Sequence, residues 1–285
     1  KRMTLTIGDD VFDLSGIWQY AVTAEADRDC PFEDFVRWKP TGLYNAMLAP
    51  CFPYAVRAVL WYQGESNTGD YAMRYGDELK AMIELWRGKW HQPDMPFLIV
   101  QLPKFGIDAI EDGGWPLIRE QEWRVADELE HVAAVVTLDA GESNDLHPHD
   151  KKTIADRAFN VAMDFVYGQQ AQPQPVVETA EADDGLLRMH CVWRNSMGEQ
   201  MQSQNRHLMT LDGDVPREID FLWHDCATSV RAEAWLDGCD IVARIPSRMP
   251  DEVRYAWSNS PESGLICDGD GVLLPPFHLP LPMVD

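Results

Sequence analysis

The sequence lacks the features of several large protein classes. No run approaches the roughly 18–20 consecutive apolar residues that a membrane-spanning helix needs, no glycine-rich phosphate loop of standard spacing occurs, and the six cysteines form no CxxC pair. Positive charge is scarce, since 24 basic residues stand against 47 acidic ones, a formal net charge of −23. Such a chain repels phosphate backbones and anionic lipid surfaces. The composition therefore predicts a soluble protein with no nucleic-acid or membrane partner.

Apolar and aromatic residues, in contrast, are plentiful. The chain has 285 residues, of which 45% are hydrophobic, enough for the core of one large domain or two ordinary ones. The 11 tryptophans can fill a core, and open aromatic faces also stack on sugar rings. The first residues, beginning at Lys1, show no signal-peptide pattern. We expect the chain to be part of a longer protein, and the compartment, cytoplasmic or secreted, stays open.

The middle of the chain alternates between strand and helix patterns. Short, nearly continuous apolar runs predict strands covered on both faces, and longer stretches with apolar residues three and four apart predict helices. The predicted strands are 56–62, 97–102 and 132–138, and the predicted helices are 71–90, a segment opening at Pro116, and a segment from Asp150 to Gly168. This alternation predicts an α/β fold with a parallel sheet wrapped by helices.

The flanking segments differ from this α/β region. Residues 1–38 read as a β segment, the end of an inserted or preceding domain. Residues 39–168 form the α/β domain, and the Gln- and Pro-rich stretch 169–175 predicts a linker. Residues 176–285 show short β-like runs separated by Gly and Pro, which predicts a small C-terminal β domain.

Two of the predicted strands run directly into polar loops that contain glycine. The first loop carries Asn67 and the last carries His147. Carboxyl ends of parallel strands meet at one edge of a sheet, so we expect these side chains at the same edge. An amide can donate to a developing oxyanion and an imidazole can move a proton, which suits acyl transfer. Asp145, two residues before His147, is the expected partner for the ring; a plain surface turn is the alternative.

Ser66 is a tempting nucleophile, because it follows a buried strand in a Gly-x-Ser context. However, Thr68 stands where the G-x-S-x-G elbow has its second glycine. A bulkier neighbour disfavours the strained turn that exposes a nucleophile. The pattern therefore favours a Ser66 that caps the next helix or supports the loop.

Other polar residues are weaker candidates. Arg119 and Gln121 follow a Trp-Pro pair and either line a substrate cleft or lie on an exposed helix face. His147 and His149 lack a third ligand at metal-site spacing, so we expect neither a metal nor another cofactor.

Several motifs in the correct order resemble the sialate O-acetylesterase family. They are PTGLYNAMLAP at 40–50, VLWYQGESN at 59–67, WR at 86–87, VQLP at 100–103, WPLIREQ at 115–121, LHP at 146–148, VRYAW at 253–257 and LPPF at 274–277. The resemblance implies an SGNH-type hydrolase fold and the removal of O-acetyl groups from sialic acids or related sugars.

The resemblance also implies roles for individual residues. His147 matches the family's catalytic histidine, Asn67 matches its oxyanion-hole asparagine, and Gly64 of the same block is assigned to the oxyanion hole with it. Neighbouring residues of that block, Gln63, Glu65 and Ser66, are expected to shape the site.

Two departures from the family pattern matter. No GQSN-like block with the nucleophilic serine occurs, and the glycine-bearing block that gives another oxyanion donor is also missing. The position three before the histidine, where related hydrolases have aspartate, is Asn144, so either Asp145 or a backbone carbonyl orients the ring. We therefore expect a catalytic domain that is incomplete at its N-terminal side. An N-terminal fragment or subunit would supply the serine, and residues 1–285 alone would be inactive.

The expected function is that of a carbohydrate O-acetylesterase acting on O-acetylated sialic acids by a Ser-His(-Asp) mechanism. An acetylxylan-type esterase with a neutral substrate is the alternative within the class. A non-catalytic sugar-binding module, supported by the tryptophans and the absent serine, is the alternative outside it.

Overall fold

The computed structural model describes residues 4–16, 39–106, 114–169, 172–202, 206–226 and 228–281. The chain forms two compact units, Lys1–Phe52 and Pro53–Asp285. None of the described helices is long and apolar enough to cross a membrane.

The first unit contains an antiparallel hairpin. Its strands are β1 (Thr4–Ile7) and β2 (Asp10–Asp13), and Gly8 in the turn between them has φ +62°, a conformation that favours glycine. The hairpin lies within the predicted N-terminal β segment. Residues 17–38, which make up the rest of that segment, lie outside the described residues.

The second unit begins with three parallel strands that alternate with three helices. They are β3 (Val59–Trp61), α1 (Ala72–Trp90), β4 (Phe97–Val100), α2 (Trp115–Glu128), β5 (Val132–Val135) and α3 (Lys152–Phe165). The sheet order is β3-β4-β5, with Val59 opposite Phe97 and Phe97 opposite Val132. The predicted alternation and the parallel sheet are confirmed, with shorter strands than the apolar runs suggested.

The burial of the central strand explains its composition. All four residues of β4 are buried, because α1 and α2 pack on one face of the sheet and α3 packs on the other. A strand covered on both faces needs apolar side chains at every position rather than at alternate ones.

Local sequence signals set the helix ends. Pro116 occupies the first turn of α2, where its missing N–H would have no partner in any helix. The side chain of Asp150 accepts hydrogen bonds from the backbone N–H of Thr153, at 3.1 Å, and from its hydroxyl. After α3, Gly168 has φ +63° and donates its N–H to Asp164 O, which ends the helix.

The remainder of the second unit is antiparallel β structure. Its strands are β6 (Gln174–Asp183), β7 (Leu186–Arg194), β8 (Gln200–Met201), β9 (Leu208–Thr210), β10 (Ile219–Leu222), β11 (Val230–Arg231), β12 (Ala234–Asp237), β13 (Asp240–Arg244), β14 (Glu252–Tyr255), β15 (Ile266–Asp268) and β16 (Phe277–Pro280). The sheet orders are β12-β13-β7-β6, with β8 on β7, then β11-β10-β14-β16, and β15-β9. The core between these sheets includes Val136 and Leu138, which follow β5. The fold is thus a mixed α/β architecture with a shared core.

The described tryptophans serve packing. None of the nine in the described part of the chain is exposed. Trp86 packs edge-on against both Trp61 and Trp90, and Trp115 and Trp193 are buried. The tryptophan content therefore offers no open aromatic platform for sugars among these residues.

A histidine links α2 to the β structure. His278 in β16 contacts Glu120 of α2 through Nδ1 at 3.2 Å and Glu252 of β14 through Nε2 at 2.6 Å. Two carboxylate partners need an N–H on both ring nitrogens, so the arrangement favours the imidazolium form. The hydrogen bond to Glu120 raises the pKa of His278 above its ordinary value, the bond to Glu252 adds to this, and partial burial opposes both.

We expect His278→Gln to lower the free energy of unfolding by about 1–3 kcal/mol near pH 6, because two charge-assisted hydrogen bonds are lost. A histidine whose pKa is raised on folding contributes its full stabilisation below the unfolded-state pKa. That contribution is lost as the pH rises through the folded-state pKa. The difference between wild type and variant should therefore narrow above pH 7 in urea titrations. His207→Gln, at an exposed histidine, is the control. A difference in free energy of unfolding between wild type and His278→Gln that stays constant from about pH 5.5 to 8.5 would argue against the ion pairs.

Candidate active site

The two polar loops singled out in the sequence lie at one edge of the parallel sheet. Residues 63–68 follow β3 and residues 139–148 follow the strand region of β5. Since β3, β4 and β5 are parallel, all three carboxyl ends lie at this edge. The edge is therefore the candidate site.

The segment after β4 connects the two loops. Leu102 lies against the first loop, next to Gly64. Two residues on, Lys104 donates its N–H to Ala140 O at 3.0 Å and forms a parallel bridge with Gly141 in the second loop. Gly141 has φ +92°, and a Cβ there would lie 2.6 Å from Lys104 O. The close approach of the two backbones thus requires glycine at this position.

The first loop fixes the orientation of the predicted amide donor. Residues Glu65–Asn67 form a single 3₁₀ turn, closed by Asn67 N–H to Gly64 O at 2.9 Å. The side chain of Gln63 donates Nε2 to Asn67 Oδ1 at 2.9 Å. Because this bond uses the acceptor of the half-buried Asn67, the side chain presents its Nδ2 donor. An amide held in this way suits the stabilisation of an oxyanion.

Gly64 is a packing residue in this structure. It is buried, and a Cβ built on it would lie 2.8 Å from Ile118 Cγ2 and 3.3 Å from Leu102 Cδ1. Its N–H donates to Glu65 Oε2 at 2.9 Å. The backbone donor expected of Gly64 in the oxyanion hole is therefore taken by the neighbouring carboxylate here.

A buried tyrosine anchors the first loop to α1, and sequence reasoning did not identify it. Tyr75 donates its hydroxyl to Gln63 O and accepts from Trp61 Nε1 at 3.1 Å. Burial raises the pKa of Tyr75, and the nearby carboxylate of Glu122 adds to the shift. The sequence places Tyr75 only as one of the spaced apolar residues of the predicted helix 71–90.

Ser66 lies at the exposed position of the 3₁₀ turn. In the described part of the chain no hydrogen bond joins it to a histidine. Helix α1 begins six residues later, at Ala72, without a side-chain cap. Ser66 is thus placed at the site edge without the partners of an activated nucleophile, and without the predicted capping bond.

The second loop presents His147 at the surface. Asp145 Oδ1 accepts the backbone N–H of His147 at 3.0 Å, and the following Pro148 is buried. Within the described residues, the ring of His147 makes no hydrogen bond to a carboxylate. Asp145 therefore holds the backbone of His147 in this structure, which is a different contact from the one expected with the ring.

Among the described residues, the ring of His149 has a carboxylate partner and that of His147 has none. Glu142 Oε1 lies 3.0 Å from His149 Nδ1 and accepts the backbone N–H of His149 at 2.9 Å. Asp145 Oδ2 lies 3.9 Å from the same ring nitrogen. Among the described residues, Glu142, Asp145 and His149 bring ligand atoms within 4.8 Å of one another, a set that could hold a metal ion. The sequence search paired His149 with His147 and so missed Glu142, seven residues upstream.

Arg119 is fully buried and bound to backbone carbonyls. Its Nε donates to Leu102 O at 2.7 Å, its Nη2 to Pro103 O and Asn259 O, both at 3.0 Å, and its Nη1 to Ser258 O at 2.8 Å. Burial lowers the pKa of the guanidinium to about 10. A substrate would have to displace these carbonyls to reach it, so neither of the predicted surroundings, a cleft or an exposed face, matches this position.

Gln121 packs where α2 meets α1. It is 5% exposed, and its Oε1 accepts a bond from Arg124 Nη2 at 2.7 Å. A Cβ on Gly76 of α1 would lie 2.7 Å from the same oxygen. Gln121 therefore belongs to the contact between α1 and α2.

We expect Gly64→Ala to lower the free energy of unfolding by about 1–3 kcal/mol, because the added methyl group overlaps Ile118. Gly88→Ala in α1 is the matched control, since nothing lies within 4 Å of its Cβ position, and alanine favours a helix. Urea denaturation of both variants tests this, and equal stability of the two would contradict the packing role.

We expect Arg119→Met to destabilise the protein by at least about 3 kcal/mol, because buried carbonyls lose a charged donor. Arg74→Met, at a side chain that is 68% exposed, should cost less than about 1 kcal/mol. Thermal and urea unfolding provide the measurement. An Arg119→Met protein as stable as wild type would contradict this structural role and make Arg119 a candidate for substrate binding.

Comparison with known proteins places these loops in a family. Residues 33–157, which include both loops, match the family model described as carbohydrate esterase, sialic acid-specific acetylesterase. The sialate O-acetylesterase of Mus musculus is 30% identical over 264 residues, covering 82% of this chain and 47% of that protein. The Homo sapiens sialate O-acetylesterase is 30% identical over 174 residues, covering 53% of this chain and 33% of that protein. The chain thus spans about half the length, or less, of these curated relatives.

A solved structure agrees with the sequence matches. A carbohydrate acetylesterase from Xanthomonas citri superposes with a TM-score of 0.73 and 30% sequence identity, covering 83% of this chain and 53% of that one. The similarity therefore extends beyond the loops to most of the fold. On these grounds residues 33–157 match the sialic acid-specific acetylesterase family of carbohydrate esterases, and the chain is similar to sialate O-acetylesterases over most of its length.

Proposed function

We propose that this chain is the histidine- and oxyanion-bearing part of a carbohydrate O-acetylesterase, a carboxylic ester hydrolase whose substrates are O-acetylated sialic acids. The observation that carries the proposal is the oriented amide of Asn67, held by Gln63 at 2.9 Å, at the same sheet edge as His147. The match of residues 33–157 to a family of carbohydrate esterases supports the ester chemistry.

In the proposed mechanism, a serine hydroxyl attacks the acetyl carbonyl while His147 takes its proton. The Nδ2 group of Asn67 donates to the oxyanion of the tetrahedral intermediate. His147 then protonates the departing sugar hydroxyl, which leaves an acetyl-serine. Water, deprotonated by His147, attacks this ester, and collapse returns the proton to serine and releases acetate.

We propose that the serine comes from a segment outside these 285 residues. No GQSN-like block occurs in the sequence, and Ser66 has no histidine partner in the described residues. Of the described strands only β4 pairs with β3, and the other side of β3 offers a place for such a segment. Leu60 on this edge strand is 57% exposed, whereas parallel sheets are usually covered by further structure.

Asp145 is the proposed supporting acid, and it acts here through the backbone. Its Oδ1 fixes the N–H of His147, which sets where the loop presents the ring. Asp145→Asn keeps an oxygen acceptor for that N–H, whereas Asp145→Ala does not. A smaller loss of activity in Asp145→Asn would support positioning through the backbone, and equal losses would support a charge acting on the ring.

One observation favours the neutral-substrate alternative. Arg119, the cation that the sequence nominated for an anionic sugar, is bound to four backbone carbonyls. An acetylxylan-type substrate has no carboxylate and needs no such partner. Comparing O-acetylated sialic acid with acetylated xylan as substrates distinguishes the two.

We expect His147→Ala in the full-length protein to lower kcat for p-nitrophenyl acetate by about 10³-fold or more, and Asn67→Ala to lower it by about 10²–10³-fold. Ser66→Ala should retain activity, and the exposed His207→Ala serves as the control. Full turnover by His147→Ala would overturn the mechanism. Sugar binding without any turnover would favour the non-catalytic module.

A further inference from the structure

A buried carboxyl group lies directly behind the first loop. Glu122 of α2 is 0% exposed. Its Oε2 accepts the backbone N–H of Leu102 at 3.0 Å, and its Oε1 has no hydrogen-bond partner among the described residues. A Cβ on Gly64 would lie 3.3 Å from that Oε1. The unpartnered oxygen therefore faces the backbone of the loop that carries Asn67.

The groups around Glu122 do not fully offset a negative charge there. Burial raises the pKa of Glu122, and the charge of Arg119, on the same helix, lowers it without reversing that shift. The N–H groups of Arg119 donate to backbone carbonyls. The carboxylate of Glu65, in the loop, repels a negative charge on Glu122. The other titratable groups nearby are Tyr62 and Tyr75, whose pKa values are raised by burial and further by the charge of Glu122. A carboxylate in this place would be buried with one oxygen lacking a donor, and burial of such a charge favours the neutral acid.

We propose that Glu122 is held in its protonated form and is a positioning residue that keeps the 63–67 loop, and with it Asn67, in place. This inference rests on the proposed function only in assigning Asn67 as the oxyanion donor. The neutral acid can lie against Gly64 because burying an unpaired neutral oxygen costs much less free energy than burying an unpaired charge.

Loss of the proton would disturb this contact. An ionised Oε1 would be repelled by the carboxylate of Glu65, which already accepts the Gly64 N–H, and would require a donor or water where the loop now packs. The loop would have to move away from α2. Asn67 would move with it, because its N–H and side chain are tied to Gly64 and Gln63.

The pH dependence of stability has a definite sign. Burial raises the pKa of Glu122 well above its ordinary value. The folded state then binds a proton that the unfolded chain releases above about pH 4.3. Stability from this group is therefore present at low pH and is lost as the pH rises toward the folded-state pKa.

The first test compares wild type, Glu122→Gln and Glu84→Gln by urea denaturation from pH 4 to 9. Glutamine mimics the neutral acid, and Glu84 is an exposed residue of α1. Relative to Glu122→Gln, the folding equilibrium constant of wild type should fall by up to about tenfold per pH unit above pH 4.3. Glu84→Gln should follow wild type. Parallel wild-type and Glu122→Gln curves would overturn the proposal.

The second test separates positioning from a merely structural role. Carbon-13 NMR of the glutamate carboxyl groups follows the Glu122 proton, and nitrogen-15 NMR follows the amides of Gly64 and Asn67. We expect both amides to shift with the midpoint of Glu122, to lose that transition in Glu122→Gln and to keep it in Glu65→Gln. The proposal would be refuted by amide chemical shifts that do not change at the midpoint of the Glu122 titration. A Glu122 that titrates near its unfolded-state value of about pH 4.3 would refute it as well. Neither readout involves hydrolysis, so its failure is distinct from failure of the esterase.

Discussion

The architecture of the site depends on the buried guanidinium of Arg119. Its bonds to Leu102, Pro103, Ser258 and Asn259 join α2, the segment after β4 and the segment after β14. Backbone carbonyls in a core need donors, and one planar group with five N–H donors can serve four of them from different parts of the chain. The carboxyl edge of the sheet is built on the segment that this group fixes.

From this anchor the contacts extend outward to both loops. Glu122, three residues after Arg119 in α2, accepts a hydrogen bond from Leu102 and lies next to Gly64. The loop that carries Asn67 is therefore packed against α2. Lys104 pairs with Gly141, so the loop that carries His147 is held by the segment after β4. Glycine occurs at both close approaches, where a side chain would overlap with a neighbour. The two chemical groups are thus presented on loops whose bases are packed and hydrogen-bonded.

The sequence predicted some of these features and missed others for physical reasons. Continuous apolar runs identify strands covered on both faces, and β4 is buried throughout as expected. The position of the two polar loops at one site could be predicted because the carboxyl ends of parallel strands lie at the same edge of the sheet. The bond from Gln63 to Asn67 spans four residues but depends on a turn that no periodicity reveals. Arg119 reads as a surface cation until its partners are known, two of which lie about 140 residues away along the chain.

The sequence by itself determined the α/β alternation, the two polar loops and the resemblance to sialate O-acetylesterases, because these follow from local periodicity and contiguous motifs. The tertiary structure decided which polar groups are available for chemistry. It buried Arg119 and Glu122, gave the Gly64 amide to Glu65, placed Asp145 on the backbone of His147, and joined Glu142 to His149. Availability depends on burial and on partners from distant segments, and neither is encoded in the spacing of residues along the chain.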